Sequence, residues 1–179
     1  MTLNIQRRLA QPSPSLAPEL HPVISSIYAG RGIDDIQQIK RKASELLPVS
    51  SLKGIDDACL VLEDTLNAQA HITIVGDFDA DGATSTALMM IGLRKLGFNN
   101  VTYIVPNRFD YGYGLSVELA KDIVATGTDL IITVDNGISC LAGVQVAKDA
   151  GIKVIVTDHH LPGRELPNAD AIVNPNQPN

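Results

Sequence analysis

Residues 71–97 read HITIVGDFDADGATSTALMMIGLRKLG, and the class of fold can be inferred from them. The stretch opens with a short apolar run rich in β-branched residues, His71 to Gly76, which is typical of a buried strand. A helical pattern follows from Thr84 to Leu96 and ends at Gly97, a residue type favoured at helix C-termini. Because a short strand followed by a longer helix is the building unit of α/β proteins, we predict a sheet of parallel strands.

The same unit recurs along the rest of the chain. Strands are predicted at 101–105, 130–134, 153–157 and 171–173, and helices at 116–126 and 141–150. These strand segments are apolar without alternation, which indicates that both faces of the sheet are covered. We therefore predict an α/β fold with a doubly wound, mainly parallel sheet, flanking helices and a helical N-terminal extension.

The beginning of the chain follows a different pattern. Residues 1–33 contain several prolines and few apolar periods, which indicates an arm. A short helix is predicted within this arm at 23–29, and apolar residues at three- and four-residue steps predict helices at 34–46 and 56–70. Cys59 falls in the last of these, where a buried free thiol is the simplest interpretation. The predicted organisation is thus an arm and helical extension over residues 1–70 and an α/β domain over residues 71–179.

The composition limits the kinds of partner that we expect the chain to bind and the cellular compartment in which we expect it. No stretch of 18 or more apolar residues occurs, so we predict no membrane partner. Two cysteines among 179 residues indicate a reducing compartment without disulfides, and the cytoplasm is the expected localisation. The net charge of −6 argues against a basic nucleic-acid clamp, although divalent cations bound to the acidic residues would offset this charge locally.

Three of the predicted strands are followed by similar polar clusters. The residues in these clusters are Asp77, Asp79 and Asp81 after the first strand, Asp135 after the third, and Asp158, His159 and His160 after the fourth. Ligands bind open α/β sheets just beyond the carboxyl ends of the strands, where neighbouring strands would bring the clusters together. Carboxylates and imidazoles suit Mn²⁺ and similar divalent ions. Because the donors exceed the need of one ion, the clusters predict a two-metal site for phosphodiester hydrolysis.

Each cluster also has a simpler explanation when it is taken alone. The spacing from Asp77 to Gly82 resembles the start of a calcium loop, but Leu88 stands where that loop needs a glutamate. Residues 135–137 (DNG) are typical of a turn, and Asp158 fits a helix cap followed by two surface histidines. Three such clusters at equivalent strand ends favour the metal site. No G-x-G-x-x-G sequence follows the first strand, which disfavours a dinucleotide-binding domain.

The segment between the second strand and the second helix, residues 106–114, also leaves the carboxyl end of a strand. Arg108 is of a residue type that binds phosphate in a bidentate manner, and Asn107 has an amide donor. Either Tyr111 or Tyr113 is a candidate for stacking on a base. The alternative is a glycine-hinged surface loop with a solvated arginine.

A further candidate for a phosphate contact follows the first cluster. The helix there is predicted to begin at Thr84, so the backbone N–H groups of Thr84, Ser85 and Thr86 would point toward an anion. Ordinary helix capping by these hydroxyl residues explains them equally well.

Four motifs stand in order along the chain: VGDFDADGATS (75–85), VPNRFDYGYGLS (105–116), TVDNGIS (133–139) and VTDHHLPG (156–163). Together they closely resemble the RecJ-type single-strand DNA exonucleases of the DHH phosphoesterase family. The stretches IYAGRGI (27–33) and LLPVSSLKGID (46–56) are similar to the same family, so the resemblance covers most of the chain. It implies 5′-to-3′ hydrolysis of single-stranded DNA with Mn²⁺ or Mg²⁺ in DNA repair and recombination, and it allows other DNA-repair proteins as partners.

The resemblance also implies a role for each site residue. The implied metal ligands are Asp77, Asp79, Asp81, Asp135 and His159, and the implied catalytic residues are Asp79, Asp81, Asp135, His159 and His160. Among them Asp135 would bridge the two ions, and His159 would bind the second ion. Asp158 would orient a histidine as its hydrogen-bond partner. The residues implied to contact DNA or its phosphates are Asn107, Arg108, Tyr113, Ser85 and His160, the last at the scissile phosphate.

The resemblance further implies that the site lacks a part. In the family, another aspartate well after the DHH triplet completes the metal site, and two more domains grip the strand. Because the chain stops at Asn179, we expect an N-terminal fragment, incomplete at its C-terminus, with little or no activity alone. Two alternatives stay open. One is a DHH phosphoesterase for small substrates such as pyrophosphate or short oligonucleotides, and the other is a non-catalytic module that binds metal or a partner.

Overall fold

The computed structural model describes residues 11, 14–16 and 18–178, and the chain divides into two compact units at residues 47 and 48. In the first unit, helix α1 (Pro22–Ala29) confirms the short helix predicted at 23–29. His21 caps it, since its Nδ1 accepts a hydrogen bond from the N–H of Val23. Much of the predicted arm, including residues 1–10, lies outside the described residues.

The continuous helix predicted over residues 34–46 is wrong. Two short 3₁₀ helices, Ile36–Ile39 and Ala43–Glu45, stand there instead, and Lys40 between them has extended backbone angles. The predicted apolar face is not buried, since Ile36 is half-exposed and Ala43 is exposed. Short helices are marginal in water without packing of an apolar face, so this segment stops at single turns.

The second unit is built on a five-stranded parallel sheet. Its strands are β1 (Ile72–Val75), β2 (Val101–Ile104), β3 (Leu130–Val134), β4 (Lys153–Thr157) and β5 (Ala171–Val173). They are ordered β2-β1-β3-β4-β5, and every neighbouring pair is parallel. The strand order reverses between β1 and β3, which is the position where open α/β sheets bind their ligands. The predicted parallel α/β sheet is confirmed.

Helices cover both faces of this sheet. They are α2 (Ile55–Asn67), α3 (Ala80–Lys95), α4 (Arg108–Tyr111), α5 (Val117–Ala125) and α6 (Leu141–Asp149). Alternate residues of β3 show the two layers. Ile132 packs in a core with Leu93 of α3, while Ile131 packs in a second core with Leu119 of α5. The doubly wound arrangement therefore follows from strands that are apolar on both sides.

Helix α2 packs its Ala58, Val61 and Leu62 into the first of these cores. Cys59, which follows Ala58, points away from this core and is exposed. The prediction of a buried thiol was therefore wrong. The organisation predicted from the sequence, with a division at residue 70, stays a prediction. Among the described residues, no helix is long and apolar enough to cross a membrane.

Helix α3 begins a full turn earlier than the sequence predicts. It starts at Ala80, because the side chain of Asp79 caps it by accepting a hydrogen bond of 3.0 Å from the N–H of Gly82. Gly82 is needed here, since a Cβ atom would lie 2.6 Å from the backbone oxygen of Asp77. The helix therefore follows β1 almost directly, and the backbone N–H groups of Thr84, Ser85 and Thr86 lie inside it and not at its free end.

Candidate metal centre

The three polar clusters meet at the carboxyl edge of the sheet. The register pairs Val75 of β1 with Thr133 of β3, and Val134 of β3 with Thr157 of β4. The residues that follow these strand ends therefore lie side by side. Two groups of possible ligands result, in each of which the ligand atoms lie within 4.8 Å of one another: Asp77, Asp79 and Asp135, and Asp135, His159 and His160.

Asp135 belongs to both groups and has an unusual backbone. Its φ of 61° lies in the left-handed region, which costs energy for a residue with a side chain and often marks a functional site. Its side chain is only 4% exposed, and its Oδ1 lies 2.9 Å from Nε2 of His159. Burial and the nearby Asp81 raise the pKa of Asp135 against the lowering effect of His159. The carboxylate is thus held where a cation would relieve its repulsion.

The first cluster places its three carboxylates differently. Asp77 is buried, and its Oδ1 accepts a hydrogen bond of 2.7 Å from the N–H of Phe78. Asp79 caps α3, and the N–H of Gly82 lowers the pKa of this carboxyl. Asp81, in the first turn of α3, has its Oδ2 3.7 Å from Nε2 of His159. Asp77 and Asp79 therefore converge with Asp135, while Asp81 lies outside both donor groups and approaches the cluster at His159.

Asp158 is fully occupied by hydrogen bonds. Its Oδ2 accepts from the N–H of Ile138 at 2.9 Å, and its Oδ1 accepts from the N–H groups of His159 and His160 at 2.7 and 3.0 Å. Burial alone would raise the pKa of Asp158, but the N–H groups of His160 and Ile138 bring it below its ordinary value. Its side chain is 1% exposed, so Asp158 holds other groups in place and does not face the cluster.

His160 is the side chain that Asp158 orients. Its Nδ1 lies 2.7 Å from Oδ1 of Asp158, and this hydrogen bond raises the pKa of the imidazole. A proton held on Nδ1 leaves Nε2 for another partner. The two rings of His159 and His160 lie 4.7 Å apart, so both imidazoles border the cluster.

Comparison with known proteins identifies the family of the chain that carries this site. The model of the family described as "DHH family, N-terminal domain" matches residues 71–179, which carry all three clusters. This chain belongs to the DHH family. Its DHH motif is residues 158–160.

Curated relatives and solved structures point to one group within that family. The chain is 51% identical to the single-stranded-DNA-specific exonuclease RecJ of Salmonella typhimurium, over 96% of this chain and 30% of the relative. It is 48% identical to the RecJ of Escherichia coli, over 97% of this chain and 30% of the relative. The chain thus spans less than a third of the length of these relatives.

Two solved structures share the fold. An exonuclease RecJ bound to manganese matches 72% of this chain and 32% of its own at a TM-score of 0.65 and 40% identity. The RecJ of Thermus thermophilus in complex with Mn²⁺ matches 92% of this chain and 24% of its own at a TM-score of 0.62 and 32% identity.

Asparagines that the sequence did not single out support the DHH motif. Nδ2 of Asn174 donates to the backbone oxygen of His160 at 3.0 Å, and Nδ2 of Asn176 donates to that of His159. Nδ2 of the buried Asn136 donates to the backbone oxygens of Val75 and Val134, which ties the ends of β1 and β3 together. A signal was present for Asn174 and Asn176, since they follow β5 as the clusters follow the other strands.

The residues of the 106–114 segment are placed differently from what the sequence predicts. Instead of a loop, residues 108–111 form α4, which Asn107 caps with an Oδ1 that accepts from the N–H of Phe109 at 3.0 Å. Nδ2 of Asn107 donates to Asp110 at 2.7 Å, so the amide predicted for a phosphate is already engaged. The hydroxyl of Tyr111 donates to Asp122 at 2.7 Å, which turns this ring away from the role of a free base-stacking residue.

Tyr113 instead lies against the DHH motif and Asp135. Its hydroxyl donates to the backbone oxygen of Asp135 at 3.3 Å, and its ring meets that of His160 edge-on at 6.1 Å between centroids. Burial, followed by the charge of Asp77, raises the pKa of Tyr113 well above its ordinary value. The hydroxyl therefore stays protonated and able to support the strained Asp135 backbone.

Arg108 and Ser85 contact residues that belong to or adjoin the first cluster. The guanidinium carbon of Arg108 lies 4.7 Å from the centre of the Phe78 ring, a cation–π distance. The hydroxyl of Ser85 donates to the backbone oxygen of Asp81 at 2.6 Å. Ser85 also lines a cavity of about 550 Å³ that opens at Asp81 and His159 and becomes apolar along α3.

Proposed function

We propose that the chain carries the metal-binding core of a 5′-to-3′ exonuclease that hydrolyses single-stranded DNA with two metal ions, in DNA repair and recombination. The observation that carries this proposal is the pair of donor groups that share Asp135 at the reversal of strand order. The curated relatives named above are single-stranded-DNA-specific exonucleases, and the solved relatives hold manganese.

The donor set fits Mn²⁺ or Mg²⁺. Carboxylate oxygens dominate it, and the two imidazoles extend the choice toward Mn²⁺. Burial, together with repulsion from Asp81 and Asp79, raises the pKa of Asp135, and a bound cation would offset that repulsion. Ions held there would polarise the phosphodiester and make a bound water more acidic.

The side chains themselves have distinct tasks in this proposal. Asp135 belongs to both donor groups, so it would contact both ions, Asp77 and Asp79 would hold the first, and His159 would hold the second, with Asp81 beside His159. Nε2 of His160, with the proton of Nδ1 held by Asp158, faces the scissile phosphate and stabilises its charge. Arg108 binds a phosphate close to the 5′ end, and Tyr113 supports Asp135 from behind.

The setting of this activity also belongs to the proposal. Salmonella typhimurium and Escherichia coli, the sources of the two curated relatives, are bacteria, which favours a cytoplasmic bacterial enzyme that works with other DNA-repair proteins. We assign the chemistry to residues 71–179 and a supporting role to residues 1–70. The net charge of −6 is compatible with DNA binding because acidic side chains of the cluster would be neutralised by the ions.

Substitution of the shared carboxylate tests the proposal. We expect Asp135→Asn to weaken Mn²⁺ binding by at least about tenfold, or about 1.4 kcal/mol, because both donor groups lose a charged ligand. Isothermal titration calorimetry of the chain with MnCl₂ measures this change, and release of nucleotides from 5′-labelled single-stranded DNA measures hydrolysis.

Asp57→Asn is the matched control, since this exposed aspartate of α2 lies outside both donor groups. It should leave Mn²⁺ binding unchanged. Equal Mn²⁺ affinities for the Asp135→Asn and Asp57→Asn variants would contradict the proposal.

A further inference from the structure

An exposed phenylalanine stands at the carboxyl edge of the sheet, outside the roles assigned above. Phe109 is 96% exposed and lies on α4, directly after β2, the strand that neighbours β1. A single exposed apolar residue is common on protein surfaces. Phe109 differs in its surroundings, because the residue before it is Arg108, whose guanidinium covers the ring of Phe78, the residue between Asp77 and Asp79.

The backbone that carries this ring is held in a fixed turn. Asn107 closes the turn by accepting from the N–H of Phe109 and donating to Asp110. The hydroxyl of Tyr111 anchors the other end to Asp122 of α5. Because this backbone is already ordered, little backbone freedom is lost when the ring binds a ligand, which favours affinity.

Of the three aromatic residues in the 106–114 segment, only Phe109 offers both ring faces to a ligand. Tyr111 is held by Asp122, and Tyr113 is held between Asp135 and His160. Phe78 is partly covered by Arg108. The base-stacking role that the sequence suggested for Tyr111 or Tyr113 is therefore available to Phe109.

We propose that Phe109 stacks on a nucleobase of the single-stranded DNA whose phosphate Arg108 binds. The inference rests on the proposed exonuclease function and adds to it the contact that recognises the base. Aromatic rings bind bases of any sequence by stacking, which suits an enzyme that degrades a strand without regard to sequence. The cationic Arg108, which precedes Phe109 on α4, favours a polyanion over an apolar protein surface as the partner.

The absence of tryptophan from the chain makes a direct test possible. A Phe109→Trp variant carries a single indole at the proposed contact. Its fluorescence is measured as a 5′-phosphorylated oligothymidine with phosphorothioate linkages, which slow hydrolysis, is added in the presence of Mn²⁺. We expect saturable quenching, because a thymine stacked on the indole quenches its emission. Leu60→Trp, at a 61% exposed position of α2, is the matched control and should show no quenching.

A second measurement separates stacking from general contact. Anisotropy of a 3′-labelled strand gives the affinity of the wild type and of Phe109→Leu for the thymine strand and for the same strand with abasic residues. We expect Phe109→Leu to bind the thymine strand about tenfold more weakly and the abasic strand equally well. Phe109→Tyr, which keeps the ring, should bind both strands as the wild type does.

The outcomes distinguish this inference from the function on which it rests. Binding of the strand without quenching of Phe109→Trp, or an equal loss for both strands in Phe109→Leu, overturns the stacking inference alone. The second result would indicate that Phe109 meets a protein partner or supports α4. No binding of any strand by the wild type, together with unchanged Mn²⁺ binding in Asp135→Asn, overturns the proposed function as well.

Discussion

The two ends of the parallel sheet both carry polar side chains, but they hold them in opposite ways. At the amino end, threonine hydroxyl groups form a hydrogen-bonded network in which each hydroxyl has a partner. Thr73 lies 2.6 Å from Thr128 and 3.2 Å from Thr102, and Thr126 donates to the backbone oxygen of Ile123 at 2.7 Å. His71 joins this network, since its Nε2 lies 2.9 Å from the hydroxyl of Thr102.

At the carboxyl end, like charges crowd together around a strained residue. Asp135 has a left-handed φ, a buried carboxylate and a raised pKa, and it faces Asp79 and Asp81. Among the described residues, Oδ1 of the buried Asn136 has no hydrogen-bond partner. Polar side chains alone do not mark a functional site. The difference between the two ends indicates that unrelieved charge and strain do.

The largest expected effect on stability concerns Asp158, the one carboxylate of the carboxyl end that is fully satisfied. We expect Asp158→Asn to lower the free energy of unfolding by about 2–4 kcal/mol. An amide has one acceptor oxygen, so its NH₂ group would face the N–H of Ile138 or those of the DHH motif. Urea unfolding followed by circular dichroism measures the change. Asp122→Asn, which weakens one exposed hydrogen bond to Tyr111, should cost much less, and equal losses would contradict the distinction.

Much of the fold and the position of the site could be predicted from the sequence. The strands are apolar runs, and the clusters directly follow them, so the rule for ligand sites in α/β sheets was enough to bring Asp77, Asp135 and His159 together. Local pattern also gave the helices α5 and α6, whose ends are marked by Gly127 and Gly151.

What could not be predicted depends on contacts that are distant in sequence or on burial. Asn136 binds the backbone of Val75, 61 residues away, and no local pattern reveals such a partner. The segment 34–46 has a helical pattern, but it buries too little apolar surface to form one helix. The start of α3 does not follow from the apolar pattern, because it depends on Asp79, whose side chain caps the helix.

A smaller effect is expected from the amino end of the sheet. Thr73→Val keeps the shape of the side chain and removes the central hydroxyl of the threonine network, which leaves Thr128 with one hydrogen-bond partner fewer. We expect a loss of about 1 kcal/mol in the free energy of unfolding and an unchanged Mn²⁺ affinity. Thr102→Val is the control, because Thr102 is exposed and water replaces its partner. A change in Mn²⁺ affinity for Thr73→Val would show that the two ends are not independent.

The smallest expected effect is a dependence on pH that only the carboxyl end shows. The hydrogen bond to Asp158 raises the pKa of His160 in the folded chain, so its contribution is present below about pH 6.5 and is lost as pH rises through the raised value. Hydrogen bonds lower the pKa of Asp158, so its contribution is present above about pH 3.9 and is lost as pH falls through the lowered value.

The stability difference between wild type and His160→Gln, measured by urea unfolding with a chelator present, should therefore be largest between about pH 4 and 6.5. The difference caused by Thr73→Val should stay constant over that range, because the hydroxyl of Thr73 contacts only the neutral hydroxyls of Thr102 and Thr128. A difference for His160→Gln that is equally constant from about pH 4 to 9 would show that the Asp158–His160 pair contributes through packing and not through charge.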